Sequence, residues 1–246
     1  GNTGEEVQVR GGVLGALTEL RDDDVRGEIQ KLDMMTVNFT DLVNEIHRAG
    51  YGKNGRTNIE FFSEYPFVNN IAGNYDRNGD GEYDSTYIFR MTGTNRLDAE
   101  EQIGLSGTMS ISGPTDNINI DYFPTDTVGD IVKRINDSGG EVTARLDRSG
   151  RLMLKGTPAE QTENPDFVIR SVQDSGRFLV DYAGLLAQSG PDGGYAWDQA
   201  DGVLDLRGEV DYAVAPLSHP ARWMEINPEV LGDPGAVAAG FGENGR

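Results

Sequence analysis

The most regular pattern in this sequence of 246 residues is a run of apolar positions separated alternately by four and three residues. It predicts an α-helix over about residues 24–48, because this spacing places all members on one narrow stripe, as in coiled coils. The positions are Val25, Ile29, Leu32, Thr36, Phe39, Val43 and Ile46. We call the six apolar members, all except Thr36, the seam, and we predict that it is a helix-packing interface.

A helix of this length needs a partner along its apolar stripe, and no second stretch of the sequence has comparable length and periodicity. One interpretation is that the partner helix comes from another part of a longer parent protein or from another molecule. The other is an ordinary amphipathic helix that lies on the sheet of its own domain, which is more frequent in soluble domains. The spacing alone leaves both interpretations open.

The rest of the chain is predicted to be one short helix followed by a β-rich middle. Val13, Leu14, Leu17 and Leu20 form one helical face before the long helix. From about residue 88 the pattern changes to short β-type runs separated by glycine and aspartate. The predicted strands include residues 87–89, 109–111, 118–120 and 167–169.

A strand-helix-hairpin module is predicted between residues 118 and 155. Thr127 with Asp130 three positions later forms a capping box at the start of its helix. The helical face consists of Val128, Ile131, Val132 and Ile135. After Gly139-Gly140, alternating apolar residues at 142–146 and 152–154 predict two strands joined by a turn at 147–150.

These elements predict an α+β fold with an inserted domain. Residues 1–72 and 196–246 would form a discontinuous helical base domain that contains the long coiled-coil-type helix, and residues 73–195 a β-rich insert that contains the module. The glycine-rich residues 190–194 give the strongest linker signal, at the predicted return from the insert.

Composition excludes several classes of function. The chain has 21 Lys and Arg against 41 Asp and Glu, a net charge of −20, so its average field repels nucleic acid. It has no cysteine, which removes disulfides and thiolate chemistry. No stretch approaches the roughly 20 apolar residues that span a bilayer, so we expect no membrane partner.

An acidic loop at residues 76–84 (DRNGDGEYD) carries the clearest chemical motif. Its oxygen-bearing side chains and the glycine at its sixth position resemble a calcium loop, since Ca²⁺ takes 6–8 oxygen ligands around a sharp turn. The candidate metal ligands are Asp76, Asn78, Asp80, Glu82 and Asp84. The twelfth position is Tyr87 instead of the usual glutamate, and an acidic turn between two strands is the simpler interpretation. Bound Ca²⁺ would stiffen the insert and would not catalyse.

No catalytic residues are predicted. His47 and His219 are the only imidazoles, and a packing or solvated role suits His47 within the helix better than catalysis. Pairs of carboxylates are too numerous for one of them to be singled out. We therefore expect that the chain is not an enzyme and that it needs no cofactor, with Ca²⁺ as the one candidate ion.

Two segments resemble the family of flagellar hook-associated protein 1. Residues 11–22 (GGVLGALTELRD), followed by the long helix with NEIH at 44–47 and GYG at 50–52, resemble its central region. Residues 224–240 (MEINPEVLGDPGAVAAG) resemble the segment before its C-terminal helices. Inside the insert, residues 126–136 and 141–157 resemble the small module that recurs in flagellins and other hook-associated proteins.

The resemblance implies a secreted structural subunit of the bacterial flagellum, located in a ring at the junction between hook and filament. The implied partners are neighbouring copies of the chain, the hook protein, the second junction protein and an export chaperone that binds terminal helices. Those helices would cover the seam. The location would be extracellular, or periplasmic in an organism with internal flagella.

Two further hypotheses remain open from the sequence. A calcium-dependent or carbohydrate-binding surface module would use the acidic loop and the acidic insert. A hydrolase with paired carboxylates has the least support in the residues.

Overall fold

The computed structural model describes residues 11–20, 25–63, 73–159, 166–199, 213–214 and 219–242. The chain has an α+β fold, as the sequence predicted. Its α-helices in these ranges are α1 (Gly12–Glu19), α2 (Arg26–Arg48), α3 (Val128–Asp137) and α4 (Pro228–Gly232). Its strands are β1 (Tyr51–Gly52), β2 (Arg90–Arg96), β3 (Gly107–Ser112), β4 (Asn117–Tyr122), β5 (Val142–Leu146), β6 (Arg151–Gly156), β7 (Ser171–Asp174), β8 (Tyr195–Ala196), β9 (Ala213–Val214) and β10 (Ala238–Gly240).

The strands form two four-stranded antiparallel sheets and one small ribbon. The first sheet has the order β5-β6-β2-β9, and the second has the order β4-β3-β7-β8. Side chains from both sheets and from α3 share one core, which includes Met91, Met109, Ile131 and Phe178. The β-rich middle of the chain is therefore held together mainly by apolar burial across two sheets.

The predicted strand-helix-hairpin module is present as β4-α3-β5-β6. Thr127 accepts a hydrogen bond from the backbone N–H of Asp130, whose carboxylate accepts one from Thr127 N–H, so the capping box is complete. Val128, Ile131 and Ile135 are buried on one face of α3. The β5-β6 hairpin turns at Asp147, which accepts backbone N–H bonds from Ser149 and Arg151.

Two predicted strands differ from the structure in position. Residues 87–89 precede β2, and residues 167–169 precede β7. The two runs form no ladder with each other beyond an isolated antiparallel bridge between Ile88 and Ile169, both fully buried, although Phe89 and Phe167 share an apolar cluster with Val37. A three-residue apolar run does not distinguish a strand from a buried connection, which explains the difference.

The N-terminal and C-terminal parts of the described chain meet beside the end of α2. Strand β1 pairs with β10, and Phe62 forms a bridge with Ile226. Ile59 shares a small apolar cluster with Val230 and Ala236. Residues distant in sequence thus form one structural unit at this end of the long helix.

An ion cluster fixes α2 to the first sheet. The buried carboxylate of Asp41 accepts a hydrogen bond from Arg90 of β2 at 2.6 Å, and it lies 3.2 Å from Arg145 of β5 and 3.6 Å from Lys155 of β6. Arg145 also contacts Glu45 at 2.6 Å. Burial alone would raise the pKa of Asp41, but Arg90, Lys155 and Arg145 together lower it below its ordinary value. Three strands therefore converge on a single carboxylate of the helix.

We predict that Asp41→Asn destabilises the protein by about 3 to 5 kcal/mol, because it removes the buried carboxylate charge on which Arg90, Arg145 and Lys155 converge. Urea denaturation at neutral pH measures the free energy of unfolding. The pKa of Asp41 is lower in the folded state than in the unfolded state. The ionised carboxylate therefore adds to the free energy of unfolding above the unfolded pKa of about 3.9, and this addition is lost as the pH falls through the folded-state pKa. The difference in unfolding free energy between wild type and variant should therefore shrink below about pH 4.

Glu28→Gln is the matched control, since Glu28 pairs with Lys31 on the exposed surface of the same helix. It should change stability little at either pH. A variant Asp41→Asn as stable as Glu28→Gln, or a difference that does not depend on pH, would contradict the proposed role of this cluster.

Candidate assembly interface

The structure places the seam on the solvent-facing side of α2. The exposed fraction of its side chains ranges from 38% at Ile29 to 52% at Leu32, and Val43 is half-buried. Phe39 is 50% exposed although its ring contacts Phe62 at a centroid distance of 5.7 Å. Within the described residues, the sheets leave this stripe largely uncovered. The interface role of the seam stays a prediction.

The exposed apolar face is wider than the predicted stripe. Met35 and Leu42, seven residues apart and beside the seam, are 60% and 56% exposed. They occupy the position next to the seam in successive heptads, so the face spans three of seven positions. A face of this width is typical of a helix in a bundle, whereas a two-stranded coiled coil uses two positions of seven. The seven-residue spacing of Met35 and Leu42 is visible in the sequence, and it would have predicted that both residues belong to this face.

The side of α2 that faces the protein is buried and mostly polar, with Val37 as a buried apolar member. Asp33, Asp41, Asn44 and His47 are each less than 8% exposed. Asn44 pairs with both backbone groups of Phe62: it donates to the carbonyl at 3.0 Å and accepts from the N–H at 2.8 Å. Asp33 accepts from the backbone N–H of Ala221 at 2.9 Å. These partners fix the rotation of α2 about its own axis.

His47 joins three segments through its two ring nitrogens. The N–H of Ala238 in β10 donates to Nε2 at 2.9 Å, and Nδ1 lies 2.6 Å from the carbonyl of Ile59. An N–H group only donates and a carbonyl only accepts, so this arrangement requires the proton on Nδ1. The imidazole therefore holds the end of α2, the segment at Ile59 and β10 together, which is a packing role.

The acidic loop is a turn between bridged residues. Tyr75 and Ser85 form a bridge at its base. Asp76 accepts backbone N–H bonds from Gly79, Asp80 and Gly81, and these bonds lower the pKa of its carboxyl, with Gly81 the largest cause. Similar side-chain bonds tighten the loop farther along. They run from Asp80 N–H to Asn78, from Glu82 N–H to Asp80 and from Arg77 N–H to Asp84.

These contacts bear on the calcium prediction. Across the ranges that the structure describes, no group of three or more His, Asp or Glu side chains converges closely enough to hold a metal ion. Tyr87, at the twelfth loop position, stacks on Trp197 at 5.2 Å and supplies no ligand there. Carboxylates that accept backbone N–H bonds keep further lone pairs, so calcium binding by this loop stays a prediction.

The loop is connected to an aromatic stack. Arg77 lies 5.4 Å from the centre of the Trp197 ring and 3.7 Å from the carboxylate of Asp84. Arg170 lies over the same indole at 4.3 Å. A cation that drew Asp84 away from Arg77 would therefore change the surroundings of Trp197.

The second histidine also contacts the long helix α2. His219 is next to Asp33, with Nδ1 and the carboxylate 3.3 Å apart. Asp33 also holds the following turn, Pro220–Trp223, against α2. None of the helices in the described ranges has the length and apolar character needed to cross a membrane.

Comparison with known families finds two matches. Residues 1–62 match the flagellar hook-associated protein FlgK helical domain. Residues 108–157 match the flagellin hook IN motif. The first match contains α1, α2 and the seam, and the second contains β4, α3 and the β5-β6 hairpin. Both families consist of structural flagellar proteins, and together they support the flagellar hook-associated identity expected from the sequence. No curated protein sequence matches the chain.

We predict that the proton of the His47 imidazole lies on Nδ1, as its two contacts require. Nitrogen-15 NMR of the imidazole distinguishes a protonated Nδ1 from a protonated Nε2. His219, about half exposed, is the second imidazole of the spectrum and serves as the internal reference. A His47 signal from an Nε2–H tautomer or from an imidazolium would contradict the three-segment contact.

Calcium binding is tested through Trp197 fluorescence in a Trp223→Phe background. If the loop binds Ca²⁺, emission should change and saturate with a Kd of about 10⁻⁴ to 10⁻³ M, the range of weak oxygen-ligand sites. Asp76→Asn should abolish the change, whereas Asp192→Asn, an exposed carboxylate elsewhere, should not. Constant emission together with no calorimetric heat at millimolar Ca²⁺ would remove the calcium prediction.

Proposed function

We propose that this flagellar hook-associated protein is a non-enzymatic structural subunit of the junction between hook and filament, and that its function consists of contacts with neighbouring subunits. One observation carries the proposal. The long helix α2 presents an apolar face to solvent while its polar face is held in the protein by Asp41, Asn44 and His47. A face of this kind is unfavourable in water unless a partner covers it.

We propose that helices of the assembled flagellum cover the seam. The face is wide enough for two neighbouring helices, because Met35 and Leu42 extend it beyond a coiled-coil stripe. Terminal helices of the parent protein and helices of neighbouring copies, of the hook protein and of the second junction protein are the proposed occupants. An export chaperone would bind the terminal helices before assembly.

We propose a base and an insert as the working division of the subunit. The base contains α2 and the segments that meet at its end. The pairing of β1 with β10, the Phe62–Ile226 bridge and the contact between His47 and Ala238 support it. Strand β8 pairs with β7, and β9 pairs with β2, so we place the return into the base after residue 214.

In this proposal the insert points away from the helices of the junction, and the acidic loop belongs to its outer surface. The flagellum is the location that the two family matches support. We propose an extracellular junction, with a periplasmic one in an organism that carries internal flagella. The net charge of −20 agrees with a subunit that remains dispersed until a specific partner covers the seam.

The proposal predicts that Leu32→Asp prevents incorporation without unfolding the protein. Leu32 is about half exposed, so the substitution removes few internal contacts, but it places a carboxylate in the buried helix interface. We expect at least a ~10-fold loss of junction-associated protein, equivalent to about 1.4 kcal/mol. Fluorescent labelling of the chain in motile cells measures its amount at the boundary between hook and filament.

Leu231→Asp is the matched control, because Leu231 is an exposed leucine of α4 outside the seam. It should leave incorporation near the wild-type level. Both variants should keep the wild-type urea midpoint. Normal incorporation of the Leu32→Asp variant, or labelling spread evenly along hook and filament, would contradict the proposed junction role.

A further inference from the structure

The two long edge strands of the β-rich region lie beside the same helix. Among the described strands that end the two sheets, β8 and β9 have two residues each, whereas β4 has six and β5 has five. An edge strand offers unpaired N–H and C=O groups to which another chain can add a strand. Helix α3 follows β4 and precedes β5, and it contacts both.

At β5, one side chain of α3 occupies the middle of the edge. The backbone N–H of Ala144 donates to Asn136 Oδ1 at 2.8 Å, and Asn136 Nδ2 donates to the carbonyl of Ala144 at 2.9 Å. Ala144 lies opposite Leu154 of β6, yet both of its backbone groups point to Asn136. In an antiparallel pair, every second residue directs its backbone N–H and C=O groups away from the neighbouring strand, and Ala144 is such a residue of β5. Asn136 therefore takes the two bonds that an added strand would use at the centre of β5.

At β4, a second side chain of α3 makes a similar contact. Arg134 donates to the backbone carbonyl of Asp121 at 2.6 Å. Its guanidinium is held in place by two further bonds to Asp126, at 2.8 and 3.0 Å. The capping box and the three buried apolar residues of α3 fix the helix that carries both side chains. Each sheet thus has, on its long edge strand, a residue whose backbone is hydrogen-bonded to a side chain of α3.

We propose that α3 terminates both sheets, and that Asn136 in particular prevents β5 from pairing with β5 of a second copy of this chain. A β5–β5 pair would be antiparallel and two-fold symmetric, with Ala144 at its centre. The apolar alternation of β5 gives such a pair a matched buried face, since Val142 and Ala144 are both buried. The inference does not depend on the flagellar role, because it concerns only the edges of the sheets.

The wild-type protein provides the first test, by amide hydrogen exchange of the full chain. The Ala144 amide should exchange at least ~10-fold more slowly than an unstructured peptide amide, although it belongs to an edge strand and faces away from β6. Exchange at the free-peptide rate would show that Asn136 does not occupy the edge in solution, and would overturn the proposal. This measurement needs no variant to fold.

The second test is self-association of Asn136→Ala, measured by sedimentation velocity over a range of protein concentrations. We expect the variant to form dimers at concentrations at least ~10-fold lower than wild type, because the centre of β5 becomes available. Asn95→Ala is the matched control. Asn95 is also exposed and also makes two side-chain bonds to backbone, to the carbonyls of Asp181 and Tyr182, but it closes no edge strand.

A second substitution identifies the strand that pairs. Proline at residue 144 removes the N–H that faces away from β6, so it blocks an added strand while it leaves the β5-β6 bonds in place. The double variant with Asn136→Ala and Ala144→Pro should return to the wild-type association constant. Dimers that persist in the double variant, or an Asn136→Ala variant that associates no more than Asn95→Ala, would overturn the proposal.

Discussion

The buried polar face of helix α2 is the constraint on which the rest of the structure depends. A buried carboxylate, amide or imidazole is costly unless its hydrogen-bonding groups are satisfied, so each one accepts only a narrow set of partners. Asp41 requires the cations of three strands, Asn44 requires the backbone of Phe62, and His47 requires β10. These requirements fix the rotation of the helix about its axis. The apolar face is then directed outward, against the usual preference of an amphipathic helix.

Through this arrangement, helix α2 connects the first sheet to the segments that meet beside its C-terminal end. The ion cluster around Asp41 connects α2 to the first sheet, Asn44 connects it to Phe62, and His47 connects it to Ile59 and to Ala238 of β10. A helix that docked on the seam would thereby set the position of the β-rich region, because the intervening contacts are charged or doubly hydrogen-bonded. A subunit that works by contact benefits from this rigidity, since the energy of docking is not spent on ordering the protein.

Sequence reasoning predicted the parts of the fold whose causes are local. The module around α3 followed from Thr127, Asp130 and strict alternation in the hairpin, all within 40 residues. The seam followed from periodicity in a single helix. The inward polar residues other than His47 were not predicted, because contacts such as those of Asp41 with Arg90, Arg145 and Lys155 arise only through tertiary folding. Likewise, the Ile88–Ile169 bridge joins residues 81 positions apart, and no local pattern reports it.

The central claim is that the outward face of α2 is exposed in the free subunit and buried in the assembled flagellum. Oxidative footprinting of Met35 measures this directly, with exposed Tyr83 in the acidic loop as the internal reference. The account predicts rapid oxidation of Met35 in the isolated chain and at least ~10-fold protection in purified flagella, with Tyr83 changed little. Equal oxidation of Met35 in both states would contradict it.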